Sequence, residues 1–283
     1  MITLESRPAS APAVPFRSAF GERGLRGRPD TPLLRLNGDI AKHLRHAADW
    51  GGLVVTSHEP LASCVSIFLP ERVETEGAEV ALIGDHHRVR IAADAVTHCE
   101  VGIPRSAGWS WSIELAWFGD GRRRLGSVVL TDAARMSRAM TDLGLRTSGD
   151  RSAAERPATA DSGGAGRQIA PTEAAAPIAW TTVTGNARAG LLARLDAQGR
   201  ADPIHLACEG RFSAHHYRGC ITAAGGLPAR YSGEGFCMSL LLDRVDRLES
   251  GVDAAGRPVL RAMDALGCSV SIASDLANDR ACV

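Results

Sequence analysis

The chain repeats itself at long range. Asp94-x-Val96-x-x-x-Glu100-x-Gly102 recurs as Asp243-x-Val245-x-x-x-Glu249-x-Gly251, an offset of 243 − 94 = 149 residues at all four matched positions. Flanking matches follow in the same order. Cys64-Val65-Ser66 is answered by Cys220-Ile221-Thr222, and Leu69-Pro70-x-Arg72 by Leu227-Pro228-x-Arg230. A period this long does not suit a solenoid unit and reads as a duplicated domain. Such an architecture suggests a ligand held between or beside two related halves.

The 283 residues leave room for two domains, or one duplicated domain, plus linkers. Basic and acidic residues balance at 32 each, without the basic excess of a protein drawn to nucleic-acid phosphates. Lys42 is the only lysine, so arginine supplies the other cations, each able to grip a carboxylate with two parallel hydrogen bonds. The seven cysteines lack Cys-x-x-Cys spacing and read as mostly reduced, buried, small apolar residues of a cytoplasmic protein. The N-terminus lacks a signal-like apolar region, and no apolar run is long enough for membrane insertion.

Composition and periodicity divide the chain into a disordered tail (1–31), a first half (32–146), a flexible linker (147–176), a second half (177–275) and a short tail (276–283). A helix is expected over Ile40–Ala48 with Asp39 as N-cap, and another from Thr131, as its cap, through Leu143. Val89, Ile91 and Ala93 alternate with Arg90 and Ala92, the period of a strand with one buried face. Asp94 then begins a turn pinned by Val96, and Glu100 the return strand. In the second half, a helix-like segment over Ala187–Leu195 precedes a strand at Met238–Leu242 and a hairpin around Asp264–Gly267. The expected fold class is α+β, a tandem duplication of an antiparallel β-meander half with flanking helices.

In this layout the chain resembles the HemS/HmuS-type haemin-degrading and haemin-transport family. That family's Thr-Arg-Asn-Glu is echoed by Thr56-Ser57-His58-Glu59, and its hairpins by Ser112–Gly121 and Val259–Gly267. Its Gly-Cys-Ile strand start is matched by Gly219-Cys220-Ile221. The resemblance spans roughly residues 32 to 275. It implies haem as cofactor and partner, with a haem-uptake transporter or a haem oxygenase as further partners. The family's axial histidine follows a Trp-x-x-x-Thr segment; Trp180 and Thr184 fit the segment, but Ala187 stands where the histidine belongs.

Haem iron takes a His, Tyr, Cys or Met axially, and the propionates take cations. The densest candidate is His215-His216-Tyr217-Arg218, read as a loop before the Cys220 strand: ligand and propionate partner, or exposed loop residues around a packed tyrosine. Neighbours on a strand point to opposite faces, so adjacent residues cannot both be ligands. His58 is a second candidate, facing a groove or solvent. Arg90 is a possible propionate partner or part of a solvated strand face. His86-His87 reads as a polar turn, and His98-Cys99 as structural. Asp94 with Glu100 and Asp243 with Glu249 are assigned to the scaffold because both copies keep them.

The expectation is a cytoplasmic haem-binding protein for intracellular trafficking, storage or use of haem as an iron source, with degradation a further option. Its rivals are a relative without haem that serves as a regulatory or interaction module, and a binder of another apolar small molecule.

Overall fold

The computed structural model describes residues 34–36, 39–102, 113–145, 179–183, 189, 204–220, 222–224, 229–254 and 256–274. The expected linker, both tails, Ala187 and the rest of the Ala187–Leu195 segment apart from Ala189 lie outside this set.

In the first half the strands are β1 (Leu34–Leu36), β2 (Leu53–His58), β3 (Ala62–Phe68), β4 (Arg72–Glu76), β5 (Glu79–Ile83), β6 (His87–Ala92), β7 (His98–Gly102), β8 (Ile113–Phe118) and β9 (Arg124–Leu130). In the second they are β10 (Thr181–Thr182), β11 (Ile204–Glu209), β12 (Ser213–Gly219), β13 (Thr222–Ala224), β14 (Ala229–Gly233), β15 (Phe236–Leu240), β16 (Arg247–Val252), β17 (Pro258–Met263) and β18 (Ser269–Ser274). Two helices complete the described elements of regular length, α1 (Ile40–Leu44) and α2 (Met136–Asp142). The fold is α+β, and no helix among the described residues is long and apolar enough to cross a membrane.

The strands form two antiparallel sheets of nine. The first runs β1-β7-β8-β9-β2-β3-β15-β14-β13, the second β10-β16-β17-β18-β11-β12-β6-β5-β4. Position by position the two orders correspond. Each half folds its three middle strands back over its own six, and the halves join where β3 pairs with β15 and β12 with β6. One core is therefore built from the first half: Leu53 and Val55 of β2 and Leu115 and Trp117 of β8 meet Val80, Leu82, Val89 and Ile91 of β5 and β6. The other packs Leu206, Val270 and Ile272 against Tyr231, Phe236 and Met238, with Leu61, Ala62 and Cys64 contributed by the first half. Period-two alternation supplies the inward residues of each strand.

The repeated motif marks the same corner in both sheets. Short 3₁₀ turns at Ala93–Ala95 and Leu242–Arg244 lead into β7 and β16, where Glu100 and Glu249 are both buried. Val96 and Val245 anchor these turns to the two cores. The flanking sequence matches do not share this equivalence. Cys64 is buried on β3 whereas Cys220 is exposed after β12, and Arg72 lies on β4 whereas Arg230 lies on β14. In sheet position β3 answers β12, so those short matches join strands that do not correspond.

Asp39 caps α1 as expected, its carboxylate accepting from Lys42 N at 2.7 Å, but α1 ends at Leu44 and a 3₁₀ turn continues over Ala47–Trp50. The Thr131 helix is shorter than expected. Asp132 accepts from Ala134 N at 2.9 Å, an Asx turn that competes with helical bonding, and α2 begins only at Met136. Trp50, buried under α2, donates its indole N–H to Asp142 at 3.0 Å.

Gly126 on β9 is where the first core admits no side chain. A Cβ there would lie 2.3 Å from the Thr56 carbonyl oxygen and 2.6 Å from the Trp117 ring. The carbonyl belongs to the β2–β9 ladder and cannot withdraw. Gly126→Ala is expected to cost roughly 2 kcal/mol through overpacking. A urea unfolding curve checks this; an unchanged midpoint contradicts it.

Candidate functional site

Register traces one rung across all nine strands of each sheet. In the second sheet it reads Arg72, Ile83, Arg88, His216, Ala207, Ser271, Arg261, Glu249, Thr182. The corresponding rung of the first sheet reads Thr222, Ser232, Cys237, Val65, Thr56, Ser127, Ala116, Glu100, Arg35. Glutamate holds the same position in both. At its centre, however, the first rung is neutral, whereas the second carries Arg88, His216 and Arg261. These side chains face away from the inter-sheet core, because the alternate residues His87, Val89, His215 and Tyr217 are the buried ones. From His216 to Arg261 is three strand spacings, about 14 Å.

His215–Arg218 is thus not a loop. It lies within β12, a central strand, and alternation divides the candidates. His215 is 1% exposed, and its Nδ1 meets Ser66 Oγ of the opposite sheet at 2.9 Å. Burial first, then the neighbouring His216 and His87, hold its pKa down at about 3. Tyr217 is buried in a ring cluster, stacked on Phe236 at 5.0 Å and edge-on to His87 at 5.2 Å, while its hydroxyl accepts from Glu234 N at 3.0 Å. Burial raises its phenol pKa. Neither side chain faces the outer surface. His87, read as a turn residue, is the first residue of β6; it stacks on Phe68 at 5.2 Å, and burial holds it down at about 4.

His216, Arg218 and Arg90 take the outer face together. His216 is half-buried; burial, then Arg90 and Arg88, hold its imidazole at about 4 and hence neutral at physiological pH. Arg90 Nη2 lies 3.3 Å from His216 Nε2 and 3.4 Å from Glu209, and its Nη1 lies 3.7 Å from Glu79. Arg88 reaches Glu74 at 3.6 Å, and Arg218 is exposed. Beside them a cleft of about 210 Å3 is bounded by His86, Arg88, Ala207, His216 and Arg218 and reaches down to the inward-facing His87, Leu206 and Tyr217. Further along the rung the Arg261 guanidinium sits 3.9 Å from the centre of the Trp180 ring and binds Glu249 through Nε at 2.9 Å. The Trp180 segment therefore borders this same face, at its β16–β17 end.

His58 does not join the group. It lies on β2 of the first sheet, where burial, and then Arg124, lower its pKa. Its neighbour Glu59 has a role that the sequence did not disclose. The Glu59 carboxylate accepts from Arg211 N, Phe212 N and Ser213 N at 3.0–3.1 Å and from the Ser213 hydroxyl at 3.1 Å, holding the β11–β12 turn of the other half. Arg88 and Arg261 were also unremarked: Arg88 was legible from the alternation around Val89, whereas Arg261 was hidden in a stretch read as apolar hairpin.

Among the described residues no group of three or more His, Cys, Asp or Glu is placed to hold a free metal ion. The outer face offers one neutral imidazole among guanidinium groups. That donor set suits a metal already held by a planar ligand with anionic arms.

No family model and no curated protein matches this sequence. Solved structures do. Holo-PhuS, a haem-binding protein from Pseudomonas aeruginosa, superposes with a TM-score of 0.64 at 12% identity, covering 87% of this chain and 82% of its own. ChuS, an E. coli haem oxygenase, gives 0.61 at 13% identity, covering 87% and 84%. The resemblance read from the sequence is thus carried by architecture, and the chain has the fold of the HemS-type proteins PhuS and ChuS.

Proposed function

We propose that this chain binds haem against the outer face of its second sheet. The observation that carries the reading is the asymmetry of two equivalent rungs, uncharged at the centre in one sheet and carrying Arg88, His216 and Arg261 in the other. The fold shared with PhuS and ChuS supports haem as the ligand. His216 is the candidate axial group, since an imidazole that stays neutral down to about pH 4 needs no deprotonation before it donates. Arg88, Arg90 and Arg218 are the candidate propionate partners. His215 and Tyr217 support the site from within, by fixing β12 in register.

Bound haem would supply iron chemistry; the chain's own part is to orient the macrocycle and neutralise its carboxylates. The cleft formed by the described residues, about 210 Å3, is smaller than the roughly 300–1,000 Å3 of enclosing ligand pockets. A face with no larger cleft among the described residues suits a ligand that stays partly open to transfer. We therefore favour carriage of haem inside the cell, for storage or as an iron source, over its breakdown, which benefits from water exclusion. Receipt from an uptake transporter and delivery to a haem oxygenase fit that role. The charges on the face argue against a purely apolar ligand.

Titration of the purified protein with haemin, followed at the Soret band, tests the reading. A saturable shift is expected. His216→Ala should weaken binding at least tenfold, about 1.4 kcal/mol, whereas Tyr217→Phe should leave the spectrum unchanged. Absence of a saturable shift in the wild type refutes haem binding.

A further inference from the structure

Resting on that reading, we propose that Arg90 is a latch on His216: its guanidinium occupies the imidazole lone pair until a carboxylate of the incoming ligand draws it away. The geometry is specific. His216 Nε2 lies 3.3 Å from Arg90 Nη2, and since an arginine can only donate, Nε2 is the acceptor and its lone pair is engaged. A metal cannot use that nitrogen while the contact persists.

The latch is loosely held. Arg90 faces two carboxylates, Glu209 at 3.4 Å and Glu79 at 3.7 Å, both longer than the roughly 2.7–2.9 Å of a well-formed charge-assisted bond. Its Nε is buried and has no hydrogen-bond partner. Arg88 on the same face adds repulsion, and its own partner is Glu74 at 3.6 Å. A ligand carboxylate could take Nε and Nη2 together in the two-pronged geometry that neither glutamate supplies. Turning toward it satisfies Nε and frees His216 Nε2 in one movement. Carboxylate capture and metal ligation become coupled, and a planar metal complex without carboxylates is selected against.

The test separates this inference from haem binding by omitting haem. Diethyl pyrocarbonate acylates the free lone pair of a neutral imidazole, and peptide mass spectrometry reports the rate at each histidine. At pH 7, with exposed His86 as internal reference, Arg90→Met should raise the rate at His216 about fivefold or more. Methionine keeps most of the length and bulk of arginine but donates nothing. A His216 rate in Arg90→Met equal to that of the wild type means that any shielding is steric and overturns the latch. Stopped-flow mixing with haemin and with haemin dimethyl ester adds the second arm. Wild type should bind the acid several-fold faster than the ester, and Arg90→Met should lose that preference. If wild type binds neither, the haem reading fails, while the acylation result still decides the latch.

Discussion

Lowering the pH from 7 to 5 is expected to cost the protein several kcal/mol of stability, because buried His215 and His87 and half-buried His216 resist protonation in the folded state. His215 is held at about 3, His87 at about 4 and His216 at about 4, against an ordinary value of 6.5. A folded-state value below the unfolded one means that the unfolded chain binds more protons. The stabilisation is therefore present above pH 6.5 and drains away as pH falls toward 3–4. At about 1.4 kcal/mol per pKa unit, His215 and His87 together account for several kcal/mol, comparable with the roughly 5–15 kcal/mol stability of a typical domain. His216, about a third exposed, contributes less. Glu59 acts in the opposite sense: burial raises its pKa, so its contribution is present in acid and lost as pH rises. Urea titrations from pH 7.5 to 5 should show stability falling with a slope approaching three protons, little changed by salt because desolvation is the leading cause. His215→Leu should reduce that slope by about one proton. An identical slope in the variant would show that His215 is not part of the effect.

Glu59→Ala should be the most damaging single change at the junction of the halves. The substitution strips acceptors from three backbone N–H groups and one hydroxyl of the β11–β12 turn. Charge-assisted bonds of this kind are worth about 1.5–3 kcal/mol each, but Arg211 is exposed and water can replace part of the loss, so a net cost of about 2–4 kcal/mol is expected. Glu59→Gln retains the oxygen that accepts from Phe212 and Ser213 and should cost about 1 kcal/mol. Gly210 provides a check. A Cβ at that position would lie 2.0 Å from Glu59 Cδ, so Gly210→Ala displaces the same carboxylate. The two substitutions should be strongly non-additive in a double-mutant cycle. Simple additivity would place the stability of the turn elsewhere.

Much of the architecture was legible from residues whose environment is local. Alternation at Val89 and Ile91 gave a strand, and the paired Glu100 and Glu249 gave the corner that recurs in both sheets. What escaped depends on contacts distant in sequence. No local pattern says that β12 pairs with β6, and without that pairing His215–Arg218 looks like a polar loop rather than a central strand. Glu59 was visible only as a motif letter because its four donors lie more than 150 residues away. For the candidate site, the sequence singled out His215–Arg218 but as a loop, and only the direction of each side chain on β12 separates His216 from His215.

The seams between the halves have a consequence for synthesis. When β6 leaves the ribosome, the outer edges of β3 and β6 both lack the partners they will have in the finished protein, because those partners are β15 and β12. β15 ends at Leu240, 240 − 92 = 148 residues after the end of β6. At about 5–20 residues per second, those edges stay open for roughly 7 to 30 s. Two nascent chains on one message can satisfy each other's edges during that interval. The fraction of chains that close these seams within themselves is therefore expected to depend on elongation speed and on the crowding of ribosomes along the message.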